Sequence, residues 1–323
     1  MRAAVYDTSG EQRGVLRIVD LPDPEPGPGE VRVRVHVSGV NPTDWKARNA
    51  ATERPWRQQV PNQDGAGVVD AVGPGVGDER LGERVWVYHA AAGRPTGTAA
   101  QLVCLPQEQA VALPEAVSFD HGAGLGIPAI TAHRCLFADG SVAGRIVLVT
   151  GGAGAVGHAA VQLAQWGGAH VIATVSSAEK GRLAADAGAQ TVLNYRADDF
   201  PAQLRAAAPD GLHRVVEVAP ATNLASYHDC LAPHAVVAAY ARDREEASVP
   251  IFPLMRGNVL LRFVLVYGLT QTMLDLAVAD ITEALRAKAL QPLPVHRYPL
   301  EDIAAAHDAV RGGAVGKVLI DLP

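Results

Sequence analysis

The sequence predicts an α/β protein of two domains, a β-rich domain and a doubly wound parallel sheet. Its 323 residues are more than one hydrophobic core usually serves. Up to about residue 122 the chain is rich in turns and short β-branched runs, whereas from residue 123 such runs alternate with helix-length segments. From residue 288 the sequence is again irregular and contains proline. We therefore expect one domain at 1–122 plus 288–323 and the other at 123–287.

The first domain is defined best by an alternating strand. Valines alternate with polar residues over 31–38, which is the period of a strand with one buried face. The proline-rich segment 21–30 before it predicts a surface connection, because proline cannot donate a ladder hydrogen bond. We expect further strands at 67–72 and 84–88, so this half resembles a small barrel or sandwich.

The second domain contains six short β-branched runs with helical segments between most of them. Six strands suit a complete dinucleotide-binding sheet. The predicted strands are 145–150, 170–175, 191–194, 214–218, 235–240 and 259–266. In the tail we expect a short helix near 300–311 and a strand at 317–321.

The strongest local signal is a glycine-rich turn between the first of these strands and a helix. Its three glycines have the Gly-x-Gly-x-x-Gly spacing that permits a tight turn, a close approach to pyrophosphate and close helix packing. The helix N-terminus offers unpaired N–H groups to phosphate. The alternative is an ordinary turn without a bound phosphate in a glycine-rich chain. The strand before the turn and the helix after it favour the phosphate-binding interpretation. The predicted phosphate-binding residues are Gly152, Ala153, Gly154, Ala155, Val156 and Gly157.

The residues after the second strand predict NADPH as the cofactor. NAD-specific sites usually place a carboxylate there, whereas this chain has Ser176, Ser177 and Lys180, which can bind and neutralise a 2′-phosphate. The alternative is that Ser177 only caps the next helix, although capping and phosphate binding can coexist. Tyr195, at the end of the third strand, is either a contact of the adenosine phosphate or a surface tyrosine.

Composition and charge narrow the classes of partner. With 19% charged residues, a formal net charge of −6 and no long basic run, the chain is not expected to bind nucleic acid. Cys104, Cys135 and Cys230 are scattered, which favours reduced thiols in a cytoplasmic protein. The N-terminus shows no signal-peptide pattern, and the longest apolar stretch, near 259–269, contains Arg262 and is shorter than the roughly 20 residues of a membrane span. We therefore expect no membrane partner.

Taken together, these features resemble the quinone oxidoreductase family of medium-chain dehydrogenases/reductases, which includes zeta-crystallin. The likeness covers nearly the whole chain and adds motifs at 39–44, 82–85, 125–132, 298–303 and 316–318. It implies a GroES-like β-barrel catalytic domain completed by the tail, a Rossmann nucleotide-binding domain, and an active site in the cleft between them.

The resemblance also implies roles for individual residues. Asn41 matches an asparagine beside the nicotinamide, and Asn41 or Lys46 is a candidate to stabilise oxyanion charge. Lys46, Tyr267 or water is the candidate proton donor. The alternative to a catalytic Lys46 is an exposed surface lysine. Asp44 either orients Lys46 or caps a helix that begins at Trp45. The other implied cofactor contacts are Ile127, Pro128, Thr131, Val218, Ala219, Tyr240, Val266, Tyr267 and Lys317.

Departures from the zinc-dependent relatives predict that the protein binds no metal. In place of their cysteine and Gly-His-Glu ligand segments stand residues 40–41 and 62–65, and the four-cysteine lobe is missing. A tetrahedral zinc site needs about four ligands. Without a Lewis acid the hydride acceptor must already be electrophilic. We therefore expect a zinc-independent NADPH:quinone oxidoreductase, with an alkene, enone or enoyl-thioester reductase and a non-catalytic nucleotide-binding protein as alternatives.

The apolar run at 259–266 bears on the oligomeric state. An apolar edge strand is prone to pair with another copy, and the resemblance implies a homodimer. The alternative is a strand that is covered within its own chain.

Overall fold

The computed structural model describes residues 1–8, 15–50 and 54–323, and it divides into two compact units. Unit 1 comprises Met1–Ile127 and Pro292–Pro323, and unit 2 comprises Pro128–Gln291. The boundaries therefore lie after Ile127 and after Gln291, where the sequence analysis placed them after residues 122 and 287. No helix in the described ranges is long and apolar enough to cross a membrane.

The N-terminal part of unit 1 is rich in strands. In β3 the valines of the alternating pattern are buried, as predicted, while its arginines and His36 are more exposed. The strands are β1 (Arg2–Asp7), β2 (Arg17–Asp20), β3 (Glu30–Gly39), β4 (Gln58–Gln59), β5 (Asp64–Val72), β6 (Arg84–Val87), β7 (Leu102–Pro106) and β8 (Ala110–Ala112), and the helices are α1 (Pro42–Asn49) and α2 (Phe119–Gly122).

Unit 2 is a parallel six-stranded sheet with helices between its strands. Helix α3 (Gly126–Phe137) leads into it from unit 1. The strands are β9 (Ile146–Val149), β10 (His170–Val175), β11 (Thr191–Asn194), β12 (Leu212–Glu217), β13 (Leu231–Ala239) and β14 (Leu260–Phe263). The helices are α4 (Ala155–Trp166), α5 (Ala178–Asp186), α6 (Phe200–Ala207), α7 (Pro220–Tyr227), α8 (Ile251–Arg256) and α9 (Gln271–Arg286). The strand order β11-β10-β9-β12-β13-β14 is that of a doubly wound nucleotide-binding sheet, so the predicted α/β class is confirmed.

The sixth strand of this sheet is shorter than predicted. β14 ends at Phe263, opposite Ala239, which is the last residue of β13. Because β13 offers no further ladder partners, the chain leaves the sheet and forms a 3-10 turn at Val266–Gly268. The predicted end of this strand at Val266 was therefore wrong.

The tail adds β15 (Val295–Pro299), α10 (Ile303–Arg311) and β16 (Lys317–Asp321) to unit 1. β16 pairs parallel with β15 and antiparallel with β3. Six strands of the resulting seven-stranded sheet follow the order β15-β16-β3-β5-β6-β8, and the seventh, β7, pairs with β3. Ile303 and Ala306 of α10 share one apolar core with Val33. No strand was expected at β15, whose polar and proline-containing sequence lies at a sheet edge and is mostly exposed.

Candidate functional site

A buried polar cluster surrounds Asn41, between the end of β3 and the start of α1. Asn41 is 1% exposed. Its Nδ2 donates to Asp64 Oδ2 at 2.6 Å, and its Oδ1 accepts from Lys317 Nζ at 2.8 Å. The backbone N–H of Ile127 also donates to the Asp64 carboxylate, at 2.9 and 3.0 Å from its two oxygens. A flipped amide would oppose NH2 to the ammonium and oxygen to the carboxylate, so these contacts fix the orientation of the Asn41 carboxamide.

The sheet brings these residues together. The N–H of Val40, just after β3, donates to the carbonyl oxygen of Val318 in β16 at 3.0 Å, which places Lys317 next to Asn41. Asp64 is the first residue of β5, which pairs with the end of β3. The pairing of β3 with β16 and β5 therefore builds the cluster.

Asp44 adds a second carboxyl group to this cluster. Its Oδ2 accepts the backbone N–H of Asn41 at 2.7 Å, and its Oδ1 is buried without a hydrogen-bond partner among the described residues. Burial, followed by the charge of Asp64, raises the pKa of Asp44 to about 8. Burial also raises the pKa of Asp64 to about 6 and lowers the pKa of Lys317. A proton on Asp44 leaves the cluster electrically neutral, because the remaining charges are those of the Asp64 carboxylate and the Lys317 ammonium, which the Asn41 amide connects.

Lys46 lies outside this cluster. It is exposed, and its Nζ is 5.7 Å from the centre of the Trp45 ring. The lysine bonded to Asn41 is Lys317. Helix α1 begins at Pro42, whose ring presets the helical φ, so the alternative of a helix that begins at Trp45 was wrong.

The glycine-rich turn joins β9 to α4. A Cβ atom on Gly152 would lie 2.8 Å from the Cβ of Ala173, and one on Gly157 would lie 2.2 Å from the carbonyl oxygen of Gly151. Only glycine therefore permits the close packing of turn, strand and helix at these two positions. Gly154 is the N-cap of α4 and has no side chain to bond the first N–H groups of the helix. The turn thus has the form of an anion cradle.

Polar and cationic residues follow β10 and β11, which are neighbours in the sheet. Ser177 caps α5, since its Oγ accepts the backbone N–H of Lys180 at 3.3 Å, and Ser176 is half-buried beside it. Tyr195 is 45% exposed, and its ring centre lies 5.9 Å from the guanidinium of Arg196. Sequence reasoning did not single out Arg196, although its place at a strand end next to Tyr195 was a usable signal.

The remaining expected cofactor contacts are spread over both units. Ile127 is in unit 1, and Pro128 and Thr131 are buried in the unit 2 part of α3. Val218 and Ala219 directly follow β12, and Tyr240 follows β13; all three are half-buried. Val266 is buried and Tyr267 is half-buried in the 3-10 turn after β14.

Within the described ranges, no group of three or more His, Cys, Asp or Glu residues is arranged to hold a metal ion. Cys135 and Cys230 are buried free thiols, and Cys104 is a half-buried one.

Two family models match the chain. The alcohol dehydrogenase GroES-like domain matches residues 27–115, and the zinc-binding dehydrogenase model matches residues 155–283. Human quinone oxidoreductase is 28% identical over 326 residues, which cover 99% of this chain and 97% of the relative. A mycobacterial quinone oxidoreductase structure is 30% identical, with a TM-score of 0.86 and complete coverage of both chains. The quinone oxidoreductase of Thermus thermophilus, also solved with NADPH, is 29% identical, with a TM-score of 0.82 and complete coverage of both chains.

These matches confirm a GroES-like domain joined to a Rossmann-like domain, and they support an oxidoreductase with a nicotinamide cofactor and a small-molecule substrate. The resemblance found in the sequence is confirmed as well. The chain belongs to the quinone oxidoreductase family of the medium-chain dehydrogenases/reductases.

Proposed function

We propose that this protein is an NADPH-dependent quinone oxidoreductase that transfers hydride to its acceptor without zinc. The observation that carries the proposal is the fixed Asn41 carboxamide, held by Lys317 at 2.8 Å and by Asp64 at 2.6 Å. Family resemblance puts this asparagine beside the nicotinamide. The donor set supports a metal-free site, because Val40, Asn41 and Gln63 stand where the zinc-dependent relatives supply cysteine and histidine ligands.

The glycine turn fits a dinucleotide. Its close-packed glycines and the uncapped N–H groups of α4 suit a pyrophosphate that must approach the backbone. When bound, the reduced nicotinamide supplies the hydride. The proposed contacts are those expected from the sequence, namely Asn41, Ile127, Pro128, Thr131, Gly152, Ala153, Gly154, Ala155, Val156, Gly157, Ser176, Ser177, Lys180, Tyr195, Val218, Ala219, Tyr240, Val266, Tyr267 and Lys317.

The fixed amide has a role in the proposed reaction. Asp64 accepts a hydrogen bond from one of the two Nδ2 hydrogens of Asn41, and the Lys317 ammonium withdraws electron density from the amide through its hydrogen bond to Oδ1. Polarisation through a hydrogen-bonded chain strengthens the remaining N–H as a donor. A donor held in place in advance stabilises oxyanion charge as it develops on an acceptor. Tyr267, Lys46 and water remain the proposed proton donors.

NADPH is the proposed form of the cofactor because of the residues after β10 and β11. Lys180 and Arg196 supply positive charge there, and Ser176 supplies a hydroxyl, whereas no carboxylate ends β10. A charge-assisted bond to phosphate at an exposed site is worth about 1 kcal/mol. We therefore expect Lys180→Ala and Arg196→Ala each to raise the Kd for NADPH about fivefold and to leave the Kd for NADH unchanged.

A titration of cofactor fluorescence checks this prediction. Arg205→Ala removes an exposed cation from α6 and serves as the control, with no change expected for either nucleotide. Equal losses for NADPH and NADH in the Lys180 and Arg196 variants would show that these cations do not contact the 2′-phosphate.

We also propose a homodimer joined at the edge of β14. This strand ends the sheet of unit 2, and Leu260, Phe263 and Leu265 are 43%, 81% and 67% exposed. Pairing with a second copy would bury these side chains and satisfy the strand edge. The cytoplasmic location expected from the sequence stays a prediction.

The test of the proposed function is the loss of reduced-nicotinamide absorbance with a small quinone, for protein dialysed against a strong chelator. Rapid oxidation of NADPH and slow oxidation of NADH would support quinone reduction, the metal-free site and the phosphate site together. Turnover of enones or enoyl thioesters but not of quinones would redirect the proposal to an alkene reductase. Tight NADPH binding without any turnover would indicate a non-catalytic role.

A further inference from the structure

One carboxylate, that of Glu217, lies where the ends of several elements of unit 2 meet. Glu217 is the last residue of β12, a central strand of the sheet, and it is 0% exposed. Its Oε1 accepts the backbone N–H of Ala219 at 2.5 Å and the Nδ2 of Asn223 in α7 at 2.8 Å. The hydroxyl of Thr150 lies 3.1 Å from the same oxygen. A single oxygen atom therefore connects three segments of the chain.

Thr150 links this carboxylate to the glycine turn. It lies between β9 and Gly151, and its backbone N–H donates to the carbonyl oxygen of Val216 at 3.0 Å. Its Oγ accepts the backbone N–H of Val218 at 2.9 Å. The start of the glycine turn and the segment after β12 are thus joined to each other as well as to Glu217. Both segments belong to the proposed cofactor site, and the buried Glu217 side chain supports them through hydrogen bonds to Thr150 and Ala219.

The surroundings of Glu217 are electrically neutral. The groups that bond its Oε1 are a backbone N–H, an amide and a hydroxyl, and burial raises the pKa of Glu217. Its Oε2 and the hydroxyl of Tyr227 are both buried, and burial, followed by the charge of Glu217, raises the pKa of Tyr227, which keeps this neighbour a neutral phenol. A buried carboxylate without a cation is unfavourable, and a glutamine of the same shape would keep the Oε1 acceptor. What the charge adds is stronger, shorter bonds to the donors around it.

We propose that Glu217 is a positioning residue, whose carboxylate holds the glycine turn and the Val218–Ala219 segment in the geometry that binds the nicotinamide nucleotide. This inference rests on the proposed function, because it assigns both segments to the cofactor site. Glu217 acts through Thr150 and through the N–H of Ala219.

Two nearly isosteric substitutions test the proposal. Glu217→Gln removes the charge and keeps the shape, and Thr150→Val removes the hydroxyl link. Each is expected to raise the Kd for NADPH about tenfold, the usual effect of losing one charge-assisted bond. The double variant should bind about as weakly as the weaker single variant, because both changes break the same connection. The control is Glu283→Gln on the surface of α9, where the side chain of Glu283 accepts a hydrogen bond from exposed Arg286, and this variant should bind NADPH normally.

The pH dependence separates positioning from packing. Protonated Glu217 resembles glutamine. The Kd for NADPH of Glu217→Gln divided by that of the wild type should therefore fall from about ten towards one as the pH is lowered and the Glu217 carboxylate of the wild type is protonated. The titration of the nucleotide phosphate cancels in this ratio. A ratio that stays constant with pH, or losses that add in the double variant, would overturn the proposal.

A measurement without cofactor distinguishes this proposal from the proposed function. Amide hydrogen exchange of residues 151–157 should become several-fold faster in Glu217→Gln than in the wild type, and it should be unchanged in Glu283→Gln. If the wild type binds no nicotinamide nucleotide, the proposed function fails whatever the exchange rates are. If the wild type binds NADPH and exchange at 151–157 is the same in Glu217→Gln, the positioning role fails and the proposed function remains.

Discussion

Asp44→Asn tests the charge state of the cluster around Asn41. Asp44 is 3% exposed, and burial raises its pKa from the usual 3.8 to about 8. At neutral pH the folded protein therefore holds a proton on this group that the unfolded chain has lost. Asparagine has nearly the shape of that protonated acid, and its Oδ1 can still accept the Asn41 N–H that now bonds Asp44 at 2.7 Å. The substitution should be tolerated at neutral pH.

The magnitude follows from proton linkage. Because the pKa of Asp44 is higher in the folded state, its contribution to stability is complete below about pH 4 and is lost as the pH rises towards 8. Within that window the free energy of unfolding falls by about 1.4 kcal/mol per pH unit for one extra bound proton. Between pH 6 and pH 8 the wild type should lose about 2 kcal/mol relative to Asp44→Asn. Asp64 is present in both proteins, so its own titration cancels to first order.

The assay is urea unfolding at pH 6, 7 and 8, followed by tryptophan fluorescence. A Trp166→Phe background leaves Trp45, Trp56 and Trp86, which all belong to unit 1, as does the cluster. Asp20→Asn on β2 removes an exposed carboxylate and is the control. Parallel stability curves for the wild type and Asp44→Asn from pH 6 to 8 would refute the reasoning. A loss of several kcal/mol at pH 6 would do so as well, because it would mean that an ionised Asp44 pairs with Lys317.

Two further predictions concern the Asn41 amide and the edge of the sheet. Lys317→Met should lower quinone turnover about tenfold or more, because it removes the charged hydrogen bond that holds the Asn41 carboxamide. In a double-mutant cycle measured by steady-state kinetics, Asn41→Ala should add little to this loss. Additive losses would contradict a shared role of the two residues. Phe263→Arg should convert the proposed dimer to a monomer in light scattering, because a charge would replace the most exposed apolar side chain of β14, whereas Leu81→Arg in unit 1 should have no effect. A dimer that persists in Phe263→Arg would rule out the β14 edge.

The sequence predicts the six strands of unit 2 because each is a short apolar or β-branched run, whereas β1, β2, β4, β7 and β8 of unit 1 were not predicted. β10 and β11 have the predicted bounds, since each is a short β-branched run that ends at a polar turn. β15 was missed because a sheet edge demands no apolar alternation, and its valine, histidine and arginine are all exposed. The end of β14 was placed too late for a related reason. Its apolar run continues to Val266, but the length of the strand is set by where its partner β13 ends.

Parts of the candidate site could be predicted in the same way from neighbouring residues, whereas other parts depend on contacts between residues far apart in the sequence. The glycine turn and the Ser177 cap are motifs of adjacent residues, so the sequence contains them completely. The bond between Asn41 and Lys317 joins residues 276 positions apart, and only the pairing of β3 with β16 brings them together. Family resemblance suggested both residues as cofactor contacts but did not suggest that they bond each other.

Two buried carboxylates of this protein differ in how their charge is compensated, and this difference determines which substitutions each can accept. Asp64 has the ammonium of Lys317 close by and the amide of Asn41 at 2.6 Å, so a neutral residue at position 64 would leave that buried ammonium with Asp44 as the remaining carboxyl group of the cluster. Within the described part of the chain, the donors that bond Glu217 are neutral, so it can lose its charge alone without leaving a cation behind. A neutral substitution at Asp64 should therefore reduce folding stability together with activity, whereas one at Glu217 should reduce cofactor affinity before it reduces stability.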